Sequence, residues 1–370
     1  MKKLPFIIAV TGLLIMGISC KESFSTSQYI SDRYAKSATT MRYDDRNTFF
    51  EINYTGAISF NEDETAIQIS PNGYVRYEEN NKKLFAESNA EGKISYEMYE
   101  NGSKLNFDDT GKKFLAEIIK KIIHHGVDAD NRLLRVYKKG GNRAVLNEIA
   151  HLKGDNLKSK YLQYLLIKDT LTPTEITEVV MKTDSLIESD FEKGKLLGNF
   201  ATHYLKNEPS DTIYFESVQK IHSDFEKGNI IKKILKQPLA NKQMVQLLKV
   251  TKSIESDFEK TNVLKSMISK EAFEEEVFIK LLEVINQLDS DFEKANLLKS
   301  IATKATKTEQ QWLLLMNETA KIASDFEKSN VLVQVARKMP KNEKIKAAYM
   351  KVAKTLASDS EYSKVVRVIE

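Results

Sequence analysis

The residues that most readily do chemistry are sparse in this sequence and poorly spaced for it. The histidines are His124, His125, His151, His203 and His222. His124 and His125 are adjacent, so on a helix their rings would point about 100° apart, a poor chelate. Near a helix C-terminus a charged imidazole suits the dipole instead. Asp128-Ala129-Asp130-Asn131 starts like a calcium loop but lacks the later glycine and glutamate such a loop needs, and reads as a helix start. Glu62-Asp63-Glu64 reads as an exposed turn, and Lys139-Gly140-Gly141-Asn142 as a turn between helices. There is no Gly-x-Ser-x-Gly elbow and no glycine-rich phosphate cradle. No metal, cofactor or catalytic set is expected, and the chain is read as a non-enzyme. A hydrolase with its site between the β-rich part and the first helices is the weakest of three functional readings.

The one cysteine, Cys20, points elsewhere. It follows a positive pair, Lys2 and Lys3, an apolar run from Phe6 to Met16, and Gly17-Ile18-Ser19. This resembles the signal peptide and lipobox of bacterial lipoproteins. The resemblance implies cleavage before Cys20 and acylation of its thiol, making residues 1–19 a removed signal. The run is shorter than the roughly 20 residues that span a bilayer, whereas two or three acyl chains, at about 0.8 kcal/mol per buried CH₂, hold firmly. The family's sorting rule retains Asp-following cysteines at the inner membrane. Lys21 therefore favours an outer-membrane anchor facing the periplasm, with the cell surface as the alternative. Without Lys2 and Lys3 the charge balance is 54 − 52 = +2. That leaves no electrostatic footprint for nucleic acid.

Stepping outward to the elements, residues 20–47 read as the lipidated cysteine and a polar, Ser/Thr-rich tether. Residues 48–107 alternate in short runs such as Phe50-Glu51-Ile52-Asn53-Tyr54 and Ile94-Ser95-Tyr96-Glu97-Met98-Tyr99, broken at Pro71-Asn72-Gly73, Glu91-Gly92 and Asn101-Gly102. They predict an antiparallel meander of five to seven strands. Residues 108–140 carry covering helices. The first runs from about Asp109 to His125, with Phe114, Leu115, Ile118, Ile119, Ile122 and Ile123 on its apolar face and a stop at Gly126; the second runs from Asp130 to Lys138.

Residues 141–370 repeat. The string Ser-Asp-Phe-Glu-Lys starts at Ser189, Ser223, Ser256, Ser290 and Ser324, at spacings of 34, 33, 34 and 34 residues. Such a period marks stacked helical hairpins. Each string reads as a capping box. Ser189, Ser223, Ser256, Ser290 and Ser324 cap free backbone N–H groups, and Glu192, Glu226, Glu259, Glu293 and Glu327 reach back to the cap. The lysine, as in Lys193, is placed to pair with the aspartate three residues earlier. Apolar positions follow each box, as in Leu196-Leu197 and Val331-Leu332, predicting a helix of about 14 residues. Others precede it, as in Val180-Met181 and Leu247-Leu248. Degenerate copies flank the five: Gly154 stands in place of the serine at one end, and Ser358-Asp359-Ser360-Glu361 closes the other. The fold class is therefore α+β, mostly α: a small antiparallel β-meander, then an α-solenoid of about seven hairpins with a 33–34-residue period.

Two columns within the repeats invite a functional reading. Phe191, Phe225, Phe258, Phe292 and Phe326 form either an exposed aromatic ladder or packing beneath each turn, and packing is preferred. One turn later stand Asn229, Asn262, Asn296 and Asn330, with Lys195 and Lys364 at the column's ends. The asparagines either read a ligand's backbone or satisfy carbonyls of the neighbouring hairpin, and the second is preferred. Trp312 reads as packing.

The box with its apolar pairs resembles the Ser-Asp-Tyr-Glu-Lys repeats of some BlaR-type sensor metallopeptidases and their stand-alone relatives, over roughly Thr48 to Glu370. Gly56-Ala57-Ile58-Ser59-Phe60, Ser70-Pro71-Asn72-Gly73-Tyr74 and Lys139-Gly140-Gly141 resemble the segments that precede those repeats. Their His-Glu-x-x-His zinc motif is missing here, so no peptidase activity is implied. The period is similar to that of tetratricopeptide repeats, without their signature residues. The expected function is a cell-envelope lipoprotein that binds another protein or peptide through its repeat surface. A regulator coupled to a membrane signalling partner is the second reading.

Overall fold

The computed structural model describes residues 39–44, 49–206, 208–270, 273–304 and 307–369. Cys20, and the tether as far as residue 38, lie outside them. The chain divides into two compact units, residues 1–135 and 136–370.

In the first unit the strands are β1 (Thr39–Asp44), β2 (Phe49–Thr55), β3 (Ile58–Phe60), β4 (Ile67–Ile69), β5 (Tyr74–Glu79), β6 (Lys82–Ser88), β7 (Ile94–Glu100) and β8 (Ser103–Leu105). They form a sheet in the order β1-β2-β5-β6-β7-β8, antiparallel at every junction, with the β3–β4 hairpin inserted as a separate pair. The register aligns Ile52, Tyr77, Leu84, Met98 and Leu105 in one row. A single helix, α1 (Asp109–His124), buries Phe114, Leu115, Ile118, Ile119 and Ile122 in the same core. Asp108 caps α1 by accepting from the Thr110 and Gly111 N–H groups. Gly111 is required there: a Cβ would lie 2.1 Å from the Asn106 carbonyl oxygen. The tether reading is corrected at β1. The strand pairs along its whole length with β2, and the Thr40 hydroxyl donates to Asn53 Oδ1.

Helix α2 (Ala129–Glu148) is broken by non-helical backbone at Gly140 and Gly141, where a turn was expected. Beyond the break it serves as the first A helix of the second unit. After it come α3 (Asp155–Lys168), α4 (Pro173–Leu186), α5 (Asp190–Asn199), the short α6 (Ala201–Leu205), α7 (Glu208–Gln219), α8 (Asp224–Ile234), α9 (Asn241–Lys252), α10 (Asp257–Ile268), α11 (Glu275–Asn286), α12 (Asp291–Ala302), α13 (Glu309–Ala320), α14 (Asp325–Ala336), α15 (Glu343–Ala353) and α16 (Asp359–Arg367).

These make seven hairpins in two layers. One layer, the B helices, packs in the order α3-α5-α8-α10-α12-α14-α16; the other, the A helices, in the order α4-α7-α9-α11-α13-α15. The B helices from α5 to α14 have 10 to 12 residues rather than about 14. The apolar columns meet between the layers: Leu247, Leu264, Leu281, Leu297, Leu315 and Leu332 are all fully buried. Each Leu-sized side chain so placed stabilises by roughly 1.5–3 kcal/mol relative to exposure. Met181, read as part of the A-helix apolar face, is exposed, whereas its neighbour Val180 is buried.

Candidate functional site

The five residues of the repeated string have five different environments. Each serine does what the sequence suggests: Ser189, Ser223, Ser256, Ser290 and Ser324 accept through Oγ from the N–H of Glu192, Glu226, Glu259, Glu293 and Glu327. The reach back by those glutamates does not form at these starts. At Ser189, Ser223, Ser256 and Ser324 the N–H it would serve is taken by the aspartate of the preceding repeat. Asp190 Oδ2 accepts from the N–H of His222 and Ser223 at 2.9 and 2.7 Å, and Asp224 from Glu255 and Ser256 at 3.0 and 2.7 Å. Asp291 does the same for Ala323 and Ser324, Asp325 for Ala357 and Ser358, and Asp257 accepts from Asp289. Asp155, in the degenerate copy at Gly154, likewise accepts from Glu188 and Ser189.

The displaced glutamates turn to the preceding B helix. A Cβ on Gly194 would meet Glu226 Oε2 at 2.8 Å, and one on Gly228 would meet Glu259 Oε2 at 3.2 Å. The equivalent positions hold Thr261, Ala295 and Ser329, and Ser329 donates to Glu361. This column of small residues is visible in the sequence and was the missed signal. The glutamates also meet lysines on the same surface: Glu192 with Lys195 at 2.9 Å, Glu259 with Lys232 at 3.9 Å and Glu293 with Lys265 at 3.4 Å.

The box lysines reach forward more than they pair locally. Lys227 and Lys294 are only within 4.0 Å of Asp224 and Asp291. Lys227 Nζ donates to the carbonyl and hydroxyl of Ser253 at the end of α9, Lys328 to Thr355 Oγ1 at the end of α15, and Lys158 to the Leu186 carbonyl at the end of α4. A cation at a helix C-terminus meets the negative end of the dipole. Burial pushes the Lys227 ammonium below its ordinary pKa, against the opposing pull of Asp224 and Glu255.

Only the phenylalanine has no such structural role. Phe191, Phe225, Phe258, Phe292 and Phe326 are 60, 60, 71, 57 and 58% exposed. The packing reading is therefore corrected: the ring at the second helical position points away from both layers. The space beneath each turn is filled by the buried lysine stem and the following apolar pair. The ladder runs through the five central hairpins and ends in polar residues, Asn156 in the first copy and Ser360 in the last. The Lys195 ammonium lies 5.5 Å from the Phe191 ring centre, and that of Lys364 5.3 Å from Phe326, within cation–π range.

The asparagine column is half-exposed beside this ladder. Asn330 accepts from Lys364 at 2.9 Å. The side chains of Asn229, Asn262 and Asn296 make no hydrogen bond among the described residues, so they do not satisfy the neighbouring hairpin's carbonyls. Two open grooves lie along the same face. One, of about 420 Å³, is lined by Phe191, Lys195, Phe225, Asn229, Lys232, Lys233 and Lys236 among others. The second, of about 560 Å³, includes Lys265, Asn296, Lys299, Ser300, Thr303 and Lys304.

The other candidates dissolve into local structure. His125 Nδ1 lies 2.7 Å from the Lys121 carbonyl. Asp128 holds Asn131 and Arg135 at the start of α2; Glu62 and Asp63 stand exposed in a turn as expected, and Glu64 accepts from Arg132. Trp312 is buried. Among the described residues no group of three or more His, Cys, Asp or Glu is placed to hold a metal, and no helix is long and apolar enough to cross a membrane. No protein-family model matches the chain, and neither a curated protein nor a solved structure shows significant similarity to it.

Proposed function

We propose that this chain is a lipid-anchored scaffold of the bacterial cell envelope that binds a protein or peptide partner across the outer face of its B helices. The observation that carries the reading is the phenylalanine ladder. Ser and Asp of the repeated string have a partner within the fold in every copy, and Glu and Lys in some, while the phenylalanine is repeated five times and left outside. Five rings exposed to this degree present on the order of 500 Å² of aromatic surface. That approaches the largest apolar patch found on ordinary monomers. With the flanking asparagines and lysines it nears the roughly 800 Å² that one partner contributes to a stable interface. Placement in the envelope rests on the Lys2-Lys3 pair, the apolar run and Cys20, and the outer membrane on Lys21.

Two measurements test this. Labelling with an alkyne palmitate analogue should mark the wild-type chain and leave Cys20→Ser unmarked; equal labelling of both removes the anchor. Affinity capture from envelope extract should recover a partner with the wild type and lose it with the triple variant Phe225→Ser, Phe258→Ser, Phe292→Ser. Because these rings are exposed, each substitution should alter stability by no more than about 0.5 kcal/mol. An unchanged set of captured proteins at unchanged stability removes the docking face.

A further inference from the structure

We propose that this face takes an acidic segment in the polyproline II conformation, with an apolar side chain at every third position and its backbone held by Asn229, Asn262 and Asn296. The inference rests on the docking reading above and adds the conformation and charge of the partner.

Spacing selects the conformation. Neighbouring packed helices lie about 8–10 Å apart, so a chain laid across the B layer meets a new phenylalanine at about that interval. Polyproline II rises about 3.1 Å per residue with three residues per turn, and thus returns one side chain to the same face every ~9.3 Å. A β-strand returns one every ~6.6 Å, or every ~13 Å if alternate contacts are skipped, and misses the ladder both ways. An α-helix repeats near 10.5 Å over seven residues. Its backbone, however, is satisfied internally and gives the asparagines nothing to bind.

The asparagines make the same selection. Each carboxamide offers a donor and an acceptor, the complement of a peptide's C=O and N–H. Polyproline II leaves both groups unpaired. Asn229, Asn262 and Asn296 are half-exposed, stand one helical turn from Phe225, Phe258 and Phe292, and have free side chains.

Charge selects composition. Lys232, Lys233, Lys236, Lys265, Lys299 and Lys304 are exposed or half-exposed around these columns. The face's glutamates are sunk by comparison, with side chains 15 and 28% exposed at Glu259 and Glu293. These lysines complement an acidic side chain at a position of each triplet that does not meet a phenylalanine.

The test is fluorescence anisotropy of the full chain with a labelled peptide of glutamate-proline-leucine triplets, one triplet per phenylalanine. Expected are binding that weakens as salt is raised, and a loss of about tenfold or more in Asn229→Ala, Asn262→Ala, Asn296→Ala at unchanged thermal stability. Three comparison ligands of equal length should bind more weakly: an alternating glutamate-leucine peptide, the lysine-proline-leucine counterpart and a dT oligonucleotide. The proposal is overturned if any of the three binds as tightly as the triplet peptide, or if the asparagine variant binds like the wild type. Should the phenylalanine variant still lose its envelope partner, docking stands and only the assigned conformation and charge fall. Should it keep that partner, the docking reading falls first.

Discussion

The two layers of the repeat unit start their helices in different ways. A-layer starts serve their own backbone N–H groups: Thr172 and Glu175 bond reciprocally, as do Thr308 and Gln311, and Asn342 accepts from the Lys344 and Ile345 N–H groups. Their links to the preceding repeat come from side-chain amides, as in Gln243 to the Leu205 carbonyl and Gln311 to the Phe273 carbonyl. B-layer starts are half local and half remote: the serine caps its own helix, and an aspartate some 31 to 34 residues earlier closes the other half. The sequences follow suit. A-layer caps vary through Thr172, Ala240, Glu274, Thr308 and Asn342, because no aspartate of a preceding repeat has to reach their N–H groups. In the B-layer string the serine serves its own helix, the aspartate the next repeat in every copy, and the glutamate and lysine a neighbouring repeat in some copies, as at Glu259 and Lys227. The outward phenylalanine is the residue that none of these bonds explains.

Removing a remote link should have the largest effect. Asp224→Ala takes a charged acceptor from two backbone N–H groups and should cost about 2–3 kcal/mol. The urea transition should also broaden as neighbouring repeats uncouple. Asp224→Asn, which keeps an acceptor oxygen, should recover part of the loss. If Asp224→Ala costs no more than a local cap, the distinction between the layers is broken.

Local caps come next. Thr308→Ala should cost about 1 kcal/mol by thermal unfolding, since it removes the hydroxyl that accepts from the Gln311 N–H. Ser290→Ala should cost less, because Asp257 still holds the start from the preceding repeat. The reverse order would mean that the aspartate link contributes little.

Acid should then separate the layers more finely. Burial of Glu175 opposes ionisation, but hydrogen bonds from Thr172 and Asn142 and the charge of Arg143 outweigh it and hold its carboxyl below the ordinary value. Its stabilising contribution is therefore full above the ordinary carboxylate pKa of 4.5. It fades as pH falls through the lower folded value, because the unfolded chain takes up the proton first. The gap in urea midpoint between wild type and Glu175→Gln, less than about 1 kcal/mol at pH 7, should narrow progressively as pH falls below 4.5. A gap independent of pH would show that the glutamate acts through its shape alone.

The smallest change is expected at Gly228→Ala. The new Cβ would sit 3.2 Å from the movable end of Glu259, and the equivalent positions already carry Thr261, Ala295 and Ser329. Gain in helix propensity should make the variant neutral or up to about 1 kcal/mol more stable. A clear loss would mean that the glutamate needs the glycine floor.

Much of this architecture was legible from local physics. The 33–34-residue period, the paired apolar columns, the serine caps and the Asn101-Gly102 turn all depend on residues within one helix or one hairpin, and a linear pattern records such neighbours. Strand β1 escaped because its place is set by pairing with β2, and a run of six residues beside a Ser/Thr-rich stretch records little of that partner. What only the tertiary structure decided were the bonds between residues a full repeat apart: the aspartate that takes the glutamate's place at the next cap, and the lysine that reaches the following A helix. The direction of the phenylalanine was decided there too. At the second position of a helix a ring has room either under the turn or away from it. Which it takes depends on whether the buried lysine and the neighbouring helix have already filled the inner space, and that is settled only when the repeats stack.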